Sequence, residues 1–301
     1  MKQNRIGISD LYVSEIGLGC MSLGTDETKA VSIIQEALEL GINFFDTADL
    51  YDDGRNEELL GKAIKHHRSD VILATKVGNR RMAGKEGWIW DPSKAHILSA
   101  VKESLKRLGT DYIDLYQLHG GTIEDPIEET IEAFEELKKE GLIRYYGISS
   151  IRPNVIREYV RRSSITSLMS QYSMLDRRPE EEVLPQLVEH GVGLIARGPL
   201  AGGILTSGGA NKAERDYLDY SRGELSEVRQ RLIELAGDTR TLAQTAIRYV
   251  LDEPEVSVAI PGASSLEQLR NNVSAADTPL SADERDAIRT VTRANRYTNH
   301  R

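Results

Sequence analysis

The 301-residue sequence predicts an α/β fold, a (β/α)8 TIM barrel with an N-terminal β-hairpin and long loops at the C-terminal face of the barrel. Three observations lead to this prediction. Eight short apolar segments rich in strand formers alternate with helical patterns. A pattern of helix, glycine and strand recurs, and the length matches a barrel of roughly 250 residues with additions. No segment rich in Pro, Gly or Ser divides the chain, so residues 1–301 are predicted to form one domain. An open doubly wound sheet is the alternative.

The strands follow in order after a small hairpin, which is predicted over residues 3–13 because turn-forming residues separate two short apolar stretches. The barrel strands are predicted to end near Gly19, Phe45, Thr75, Gln117, Ile148, Gln171, Ala196 and Ile260. Two connections exceed the usual few residues, 77–90 after the third strand and 198–221 after the seventh, so both are candidate binding loops.

The helices are marked by their starts and stops. Residues 26–40 carry apolar side chains at helical spacing, and a glycine then precedes the next strand. In this recurring pattern, the glycines between a helix and the next strand are Gly41, Gly109, Gly141 and Gly191. Asp91 and Asp125 each precede a proline, which predicts an N-cap with proline at the first helical position, and Glu128 stands at the capping-box position. A last helix over 283–291 leads into a polar tail that either folds over the ligand-binding face or frays, and fraying is the commoner outcome for a terminus.

The composition excludes several classes of function. Formal net charge is -9, and Lys and Arg are scattered among acidic residues, so no nucleic-acid partner is expected. The one cysteine, Cys20, cannot form an intramolecular disulfide. No apolar run approaches the ~20 residues of a membrane span, and residues 1–11 lack the composition of a signal or transit peptide. We therefore expect a soluble cytoplasmic protein with no membrane partner.

Four polar residues stand at or just after predicted strand ends. Asp46 follows an apolar strand, and Tyr51 lies in the turn before the next helix. Lys76 and His119 follow the third and fourth strands. Because the C-terminal ends of barrel strands form one face, these side chains are predicted to form a polar cluster at its mouth. Taken singly, Asp46 has the alternative of a helix cap, Tyr51 of a half-buried aromatic, and His119 of a hydrogen-bonded core histidine.

With these residues in view, the sequence resembles the aldo-keto reductases over nearly its whole length. The matching motifs are Gly17-Leu18-Gly19, Phe45-Asp46-Thr47-Ala48 with Tyr51 and Gly54 to Glu57, Thr75-Lys76, the run from Asp111 to His119, Gly141 to Ser149, Gln171-Tyr172-Ser173, the run from Gly198 to Gly203, and Ile260-Pro261-Gly262. The resemblance implies hydride transfer between NADPH, or NADH as a second possibility, and the carbonyl of a small aldehyde or ketone.

The four polar residues suit that chemistry. Hydride arriving at a carbonyl carbon leaves an alkoxide that must be protonated, and Tyr51 is the predicted general acid. An ammonium favours phenolate, so Lys76, paired with Asp46, is predicted to lower the pKa of Tyr51. His119 is predicted to orient the carbonyl and donate a hydrogen bond to the developing oxyanion.

The cofactor site is assigned by resemblance, since the chain lacks a Gly-x-Gly-x-x-Gly turn in the required place and a Rossmann reading is rejected. Glycines in the 198–203 segment permit close approach to a pyrophosphate. The residues implied are Gly19, Cys20, Met21, Asp46, Ser149, Gln171, Arg197, Gly198, Pro199, Leu200, Gly202, Gly262, Ser264, Gln268, Asn271 and Asn272. Ser150, Arg197, Ser264 and Asn271 depart from the family's commonest pattern, which bears on cofactor preference more than on the reaction.

Substrate contacts are predicted from the loops. Trp88 and Trp90, in the loop after the third strand, either line the substrate pocket with Tyr51 and His119 or anchor the loop. His66 has only His67 beside it as a metal ligand, so no metal site is predicted. Two other functions remain open. The same barrel can serve as a slow-turnover NADPH-binding sensor or regulatory subunit, and Lys76 could form a Schiff base in an aldolase.

Overall fold

A computed structural model describes residues 1–82 and 87–301. Its strands, in chain order, are β1 Gln3–Arg5, β2 Tyr12–Ser14, β3 Leu18–Gly19, β4 Phe44–Asp46, β5 Ile72–Val77, β6 Asn79–Arg81, β7 Trp88–Trp90, β8 Ile113–Leu118, β9 Ile143–Ser149, β10 Ser167–Gln171, β11 Gly193–Arg197 and β12 Val256–Ile260. Eight of them form one parallel sheet in the order β3-β4-β5-β8-β9-β10-β11-β12. Gly17 N donates to Ala259 O at 2.9 Å, which joins the first segment to the last strand and confirms the predicted barrel.

Helices connect the successive parallel strands of the barrel, as parallel pairing requires, and two more follow the last strand. They are α1 Glu27–Glu39, α2 Arg55–Ile64, α3 Lys94–Leu108, α4 Ile127–Lys139, α5 Pro153–Arg162, α6 Pro179–His190, α7 Arg222–Ala236, α8 Leu242–Leu251, α9 Leu266–Val273 and α10 Ala282–Val291. The four glycines of the recurring pattern all have positive φ, for example Gly109 at 64°, so they end helices in the left-handed conformation that glycine adopts without steric cost.

Two predicted helix starts are wrong. Helix α3 is capped by Ser93, because the Asp91 carboxylate instead accepts hydrogen bonds from the backbone and hydroxyl of Ser93 and pairs with Arg80. Helix α4 begins at Ile127 without a side-chain cap, because Asp125 binds Thr122 and the indole of Trp90. Glu128 forms an ion pair with Arg162 rather than a capping box. In each case a competing local partner takes the carboxylate.

The barrel interior is filled by inward side chains from the strands and plugged at one end by the hairpin. Ile6, Leu11 and Val13 of the hairpin region are fully buried in one cluster with residues from six of the barrel strands. The strand residues in this cluster are Phe44, Ala74, Leu115, Met169, Ile195, Val258 and Ile260. A second, larger cluster lies between the sheet and the helices. The hairpin therefore seals the N-terminal end, which leaves the C-terminal face for ligands.

The polar tail after α10 packs against the barrel, which is the less common of the two outcomes that the sequence left open. Asn295 and Tyr297 are buried, and His300 O accepts a hydrogen bond from Asn154 N at 2.8 Å. The tail lies against the connection after β10 and the end of the connection after β11, so it borders the functional face. Within residues 1–82 and 87–301, no helix combines the length and the apolarity that crossing a membrane needs.

Candidate active site

The strand register brings three of the four predicted catalytic residues to one end of the barrel. Asp46 lies opposite Gly19 on one side and Ala74 on the other, and Lys76 lies opposite Gln117. His119 follows the last residue of β8, and its backbone N–H donates to Val77 O at 2.7 Å. Parallel pairing fixes these backbone positions, so the side chains meet at the C-terminal mouth.

Lys76 is the centre of the cluster. Its side chain is 1% exposed, and Nζ donates to Asp46 Oδ2 at 2.7 Å, to Thr47 O at 2.7 Å and to Tyr51 Oη at 3.3 Å. Three acceptors match the three protons of an ammonium group. Burial opposes the charged amine, but the Asp46 carboxylate and the Tyr51 phenol act the other way, and the pKa of Lys76 lies above its ordinary value. The lysine is therefore held as a cation.

Tyr51 departs from expectation in one respect. Burial raises its pKa above the ordinary value near 10, and this effect outweighs the opposing effect of the Lys76 ammonium. The Lys76 ammonium acts to lower the pKa of Tyr51 as predicted, but the prediction left out desolvation, which gives the net rise. A phenol that stays protonated at neutral pH retains a proton to donate, and Lys76 remains placed to stabilise the phenolate that results.

His119 stands beside the phenol. The two rings meet edge to face with centroids 5.8 Å apart. Burial, with the positive charges of Lys76 and Arg197, lowers the pKa of His119 to about 3, so the imidazole is neutral at physiological pH. Its Nδ1 is buried and has no hydrogen-bond partner within the described ranges. A neutral imidazole can donate a hydrogen bond to a carbonyl oxygen without transferring its proton.

The turn that carries Tyr51 is held under strain. Asp52 and Asp53 have φ of 49° and 59°, in the left-handed region that non-glycine residues rarely adopt, and Gly54 follows at 88°. Beneath the turn, Asn56 donates to Cys20 O at 2.9 Å and contacts the Thr47 hydroxyl at 2.8 Å. Sequence reasoning missed this support, although the position of Asn56 in the first turn of α2 was a signal.

Comparison with known proteins gives the same assignment. The protein-family model described as "Aldo/keto reductase family" matches residues 15–293. The chain belongs to the aldo/keto reductase family. It is therefore an oxidoreductase, and the reactions of this family use nicotinamide cofactors.

Two relatives, one of them known from two solved structures, are similar along the whole chain. An uncharacterized oxidoreductase, YqkF, from Bacillus subtilis (strain 168) is 57% identical, covering 100% of both chains. The holo form of aldo-keto reductase AKR11C1 from Bacillus halodurans is 58% identical with a TM-score of 0.95, covering 100% of this chain and 99% of its own. The apo form of that reductase matches with 53% identity and a TM-score of 0.86 over the same shares.

In the aldo/keto reductase, the residues predicted to meet the nicotinamide lie at or just beyond the ends of three strands, of which β9 and β10 are neighbours. Gly19 ends β3, and Met21, just beyond it, is 65% exposed at the mouth, whereas Cys20 is buried and its thiol points to Leu18 O. Ser149 ends β9 and is nearly buried. Gln171 ends β10, and its side-chain amide donates to Tyr217 Oη at 3.1 Å.

The predicted pyrophosphate segment contains four residues with positive φ, namely Gly198, Ala201, Gly202 and Gly203. Space around Gly202 is open, since a Cβ built there would meet nothing within 4 Å. The amine of Lys212 donates to Gly202 O at 3.1 Å, and Pro199 and Leu200 lie within the same turn. Sequence reasoning missed Lys212, which lies inside the long connection without a distinguishing motif. A cation over exposed backbone suits a phosphate, so these residues fit the family's cofactor.

The residues predicted to meet the adenosine end of the cofactor already form hydrogen bonds with other protein groups. Gln268 Oε1 accepts hydrogen bonds from the backbone and hydroxyl of Ser264, at 2.9 and 3.0 Å. Asn271 Oδ1 accepts from Thr241, and the buried Asn272 donates to Gly262 O at 3.2 Å. The nearest cation on this helix, Arg270, pairs with Glu36 of α1 at 2.6 Å. The residues lie together, but a ligand must compete with contacts they already make.

The two tryptophans occupy different environments. The connection after β5 contains the antiparallel pair β6 and β7, so residues 77–90 are not simply a loop. Trp88 is 52% exposed. Trp90 donates to Asp125 at 2.9 Å, and its ring lies over Gly78 and Gly120, where added side chains would contact it. Trp90 thus anchors the hairpin beside His119, and a substrate role for Trp88 or Trp90 stays a prediction.

Proposed function

We propose that the protein reduces aldehyde or ketone carbonyls to alcohols with NADPH, with Tyr51 as the proton donor. The observation that carries the proposal is the position of Lys76 Nζ, which bridges Asp46 and Tyr51 at 2.7 and 3.3 Å inside a buried site. The family assignment and the similarity to a holo reductase structure support the cofactor class.

Each residue has a distinct task. A bound reduced nicotinamide would supply the hydride. His119 donates a hydrogen bond to the carbonyl oxygen and holds it near the Tyr51 hydroxyl. Tyr51 gives its proton to the alkoxide, and Lys76 stabilises the phenolate that remains. Asp46 keeps the ammonium in place, and Ser149 and Gln171 are proposed to hold the carboxamide.

The aldolase alternative is disfavoured by the state of Lys76. A Schiff base needs a neutral, mobile amine, whereas this amine has three acceptors and a raised pKa. The sensor alternative uses the same cofactor site and differs in turnover. An enzyme is favoured over a sensor, because the proton donor Tyr51 and its ammonium partner Lys76 are both in place.

The decisive experiment replaces the proton donor. Tyr51→Phe removes one hydroxyl and little packing, so turnover of aldehydes should fall by about 10²- to 10⁴-fold while NADPH binding changes little. Tyr12→Phe is the matched control, because Tyr12 is 55% exposed on the hairpin at the opposite end of the barrel. Turnover above a tenth of wild type in Tyr51→Phe would reject Tyr51 as the acid. Tight NADPH binding with only marginal oxidation by a broad carbonyl panel would favour the sensor.

A further inference from the structure

Tyr217 makes a hydrogen bond that no predicted role covers. It lies in the connection between β11 and α7, and its hydroxyl accepts a hydrogen bond from Gln171 Nε2 at 3.1 Å. Gln171 is the last residue of β10 and lies opposite Arg197 in the sheet. The two residues are 46 positions apart in sequence, so the contact depends on how this connection folds back over the mouth.

The bond fixes one end of a side-chain amide. Glutamine carries a donor group and an acceptor oxygen on a long, flexible stem. When Nε2 is held by Tyr217, the amide plane is restrained and the oxygen remains available to another donor. A primary carboxamide, such as that of nicotinamide, offers both a donor and an acceptor and matches this arrangement.

Tyr217 is itself held by a small bridge. Tyr217 N donates to Tyr220 O and Tyr220 N donates to Tyr217 O, both at 3.0 Å. The Tyr220 hydroxyl then accepts from Arg293 N at 2.6 Å, and the Arg293 guanidinium lies over the Tyr220 ring. The C-terminal tail therefore fixes the bridge from outside.

Asn295 completes the attachment. Its side chain is buried, with the residue 7% exposed, and donates to Leu175 O at 3.2 Å and to Asp219 Oδ1 at 2.8 Å. Its oxygen accepts from Arg177 N at 2.8 Å. One side chain thus ties the connection after β10 to the connection after β11, next to the Tyr217 bridge. A buried amide with three partners is costly to disrupt.

We propose that Tyr217 is a positioning residue for the nicotinamide carboxamide, acting through Gln171, and that Asn295 of the tail holds it in place. The proposal rests on the proposed function, since it concerns the cofactor of that same site. It assigns the tail a part in cofactor binding that neither the sequence motifs nor the relatives' names indicate.

The test compares two ligands that differ only at the nicotinamide end. Tyr217→Phe should weaken NADPH binding about 3- to 10-fold, the loss expected for one hydrogen bond. It should leave binding of 2′-phospho-adenosine diphosphate ribose, which lacks nicotinamide, within about 2-fold of wild type. Both are measured by calorimetry on the full chain. Asn295→Ala should show the same pattern with faster NADPH release, and Tyr12→Phe should change neither ligand.

A double-mutant cycle supplies the second readout. Because Tyr217 acts through Gln171, Tyr217→Phe should have no further effect on NADPH binding in a Gln171→Ala background. Additive losses, or equal weakening of both ligands, would overturn the proposal and assign Tyr217 a general structural role. If wild type binds the nicotinamide-free ligand and NADPH equally, positioning is rejected while the proposed reaction stands. If wild type binds neither, the proposed function itself fails.

Discussion

Replacing Lys76 with methionine should destabilise the protein more than the loss of one surface charge would. Lys76 and Asp46 are 1% and 3% exposed, and their charged atoms are 2.7 Å apart. Removing one partner leaves a carboxylate buried without its cation, which costs about 3–5 kcal/mol of unfolding free energy. For a chain of this size, that corresponds to a fall of roughly 5–8 °C in melting temperature.

The double variant Asp46→Asn with Lys76→Met separates charge from packing. The amide can still meet the Gln117 side chain, which lies 3.4 Å from Asp46 Oδ1, and no charge remains buried there. Most of the lost stability should return, because replacing both members of a buried pair is often nearly neutral. Carbonyl reduction should stay low in both variants, since neither retains the ammonium beside Tyr51.

The stability that Lys76→Met loses should depend on pH, in a direction set by the pKa of Asp46. In Lys76→Met, burial raises the pKa of Asp46 and no ammonium opposes the rise. A group with a raised folded-state pKa contributes stability below its unfolded value, near about 4, and loses it as pH rises through the folded value. The deficit against wild type should therefore shrink towards pH ~4 and grow towards neutrality. Circular-dichroism melts at several pH values measure this, and equal stability of the single and double variants at pH ~7 would refute the reasoning.

Three further predictions test other parts of the structure. His119→Gln should lower kcat about 10²-fold without changing the shape of the pH profile, because the pKa of His119 is about 3; loss of an ionisation between about pH 5 and 8 in that variant would contradict this. NADPH should bind about 10-fold tighter than NADH in calorimetry, and equal or tighter binding of NADH would count against NADPH as the cofactor. Ser264→Ala with Ser265→Ala should abolish this preference for NADPH, whereas Glu36→Gln, which releases Arg270, should widen it. Gly61→Ala should lower the free energy of unfolding by about 1–3 kcal/mol in denaturant, because the added Cβ would lie 2.3 Å from Leu108 O. The control Gly223→Ala, whose Cβ meets nothing within 4 Å, should be neutral or stabilising. Similar unfolding curves for the two variants would show that α2 and α3 separate easily.

The sequence by itself determined the order of the strands and the face that carries the chemistry. Strand patterns, glycines after helices and an acid at a strand end are local signals, and parallel pairing places every strand's C-terminal end on one side. Asp46, Lys76 and His119 could therefore be assigned to one mouth before any contact was known. Tyr51 followed for the same reason, because the turn between β4 and α2 is short.

Only the tertiary structure decided how strongly those groups interact and what surrounds them. The direction of the pKa of Tyr51 depends on burial, which no local pattern reports. Arg270 is paired with Glu36, 234 residues away, and Asn295 joins segments 76 to 120 residues distant. Such contacts form when helices and loops from distant parts of the chain pack together, and their partners are polar residues with no periodicity of their own. For that physical reason the tail packs against the connections that border the active face, an outcome that the sequence alone left open beside fraying.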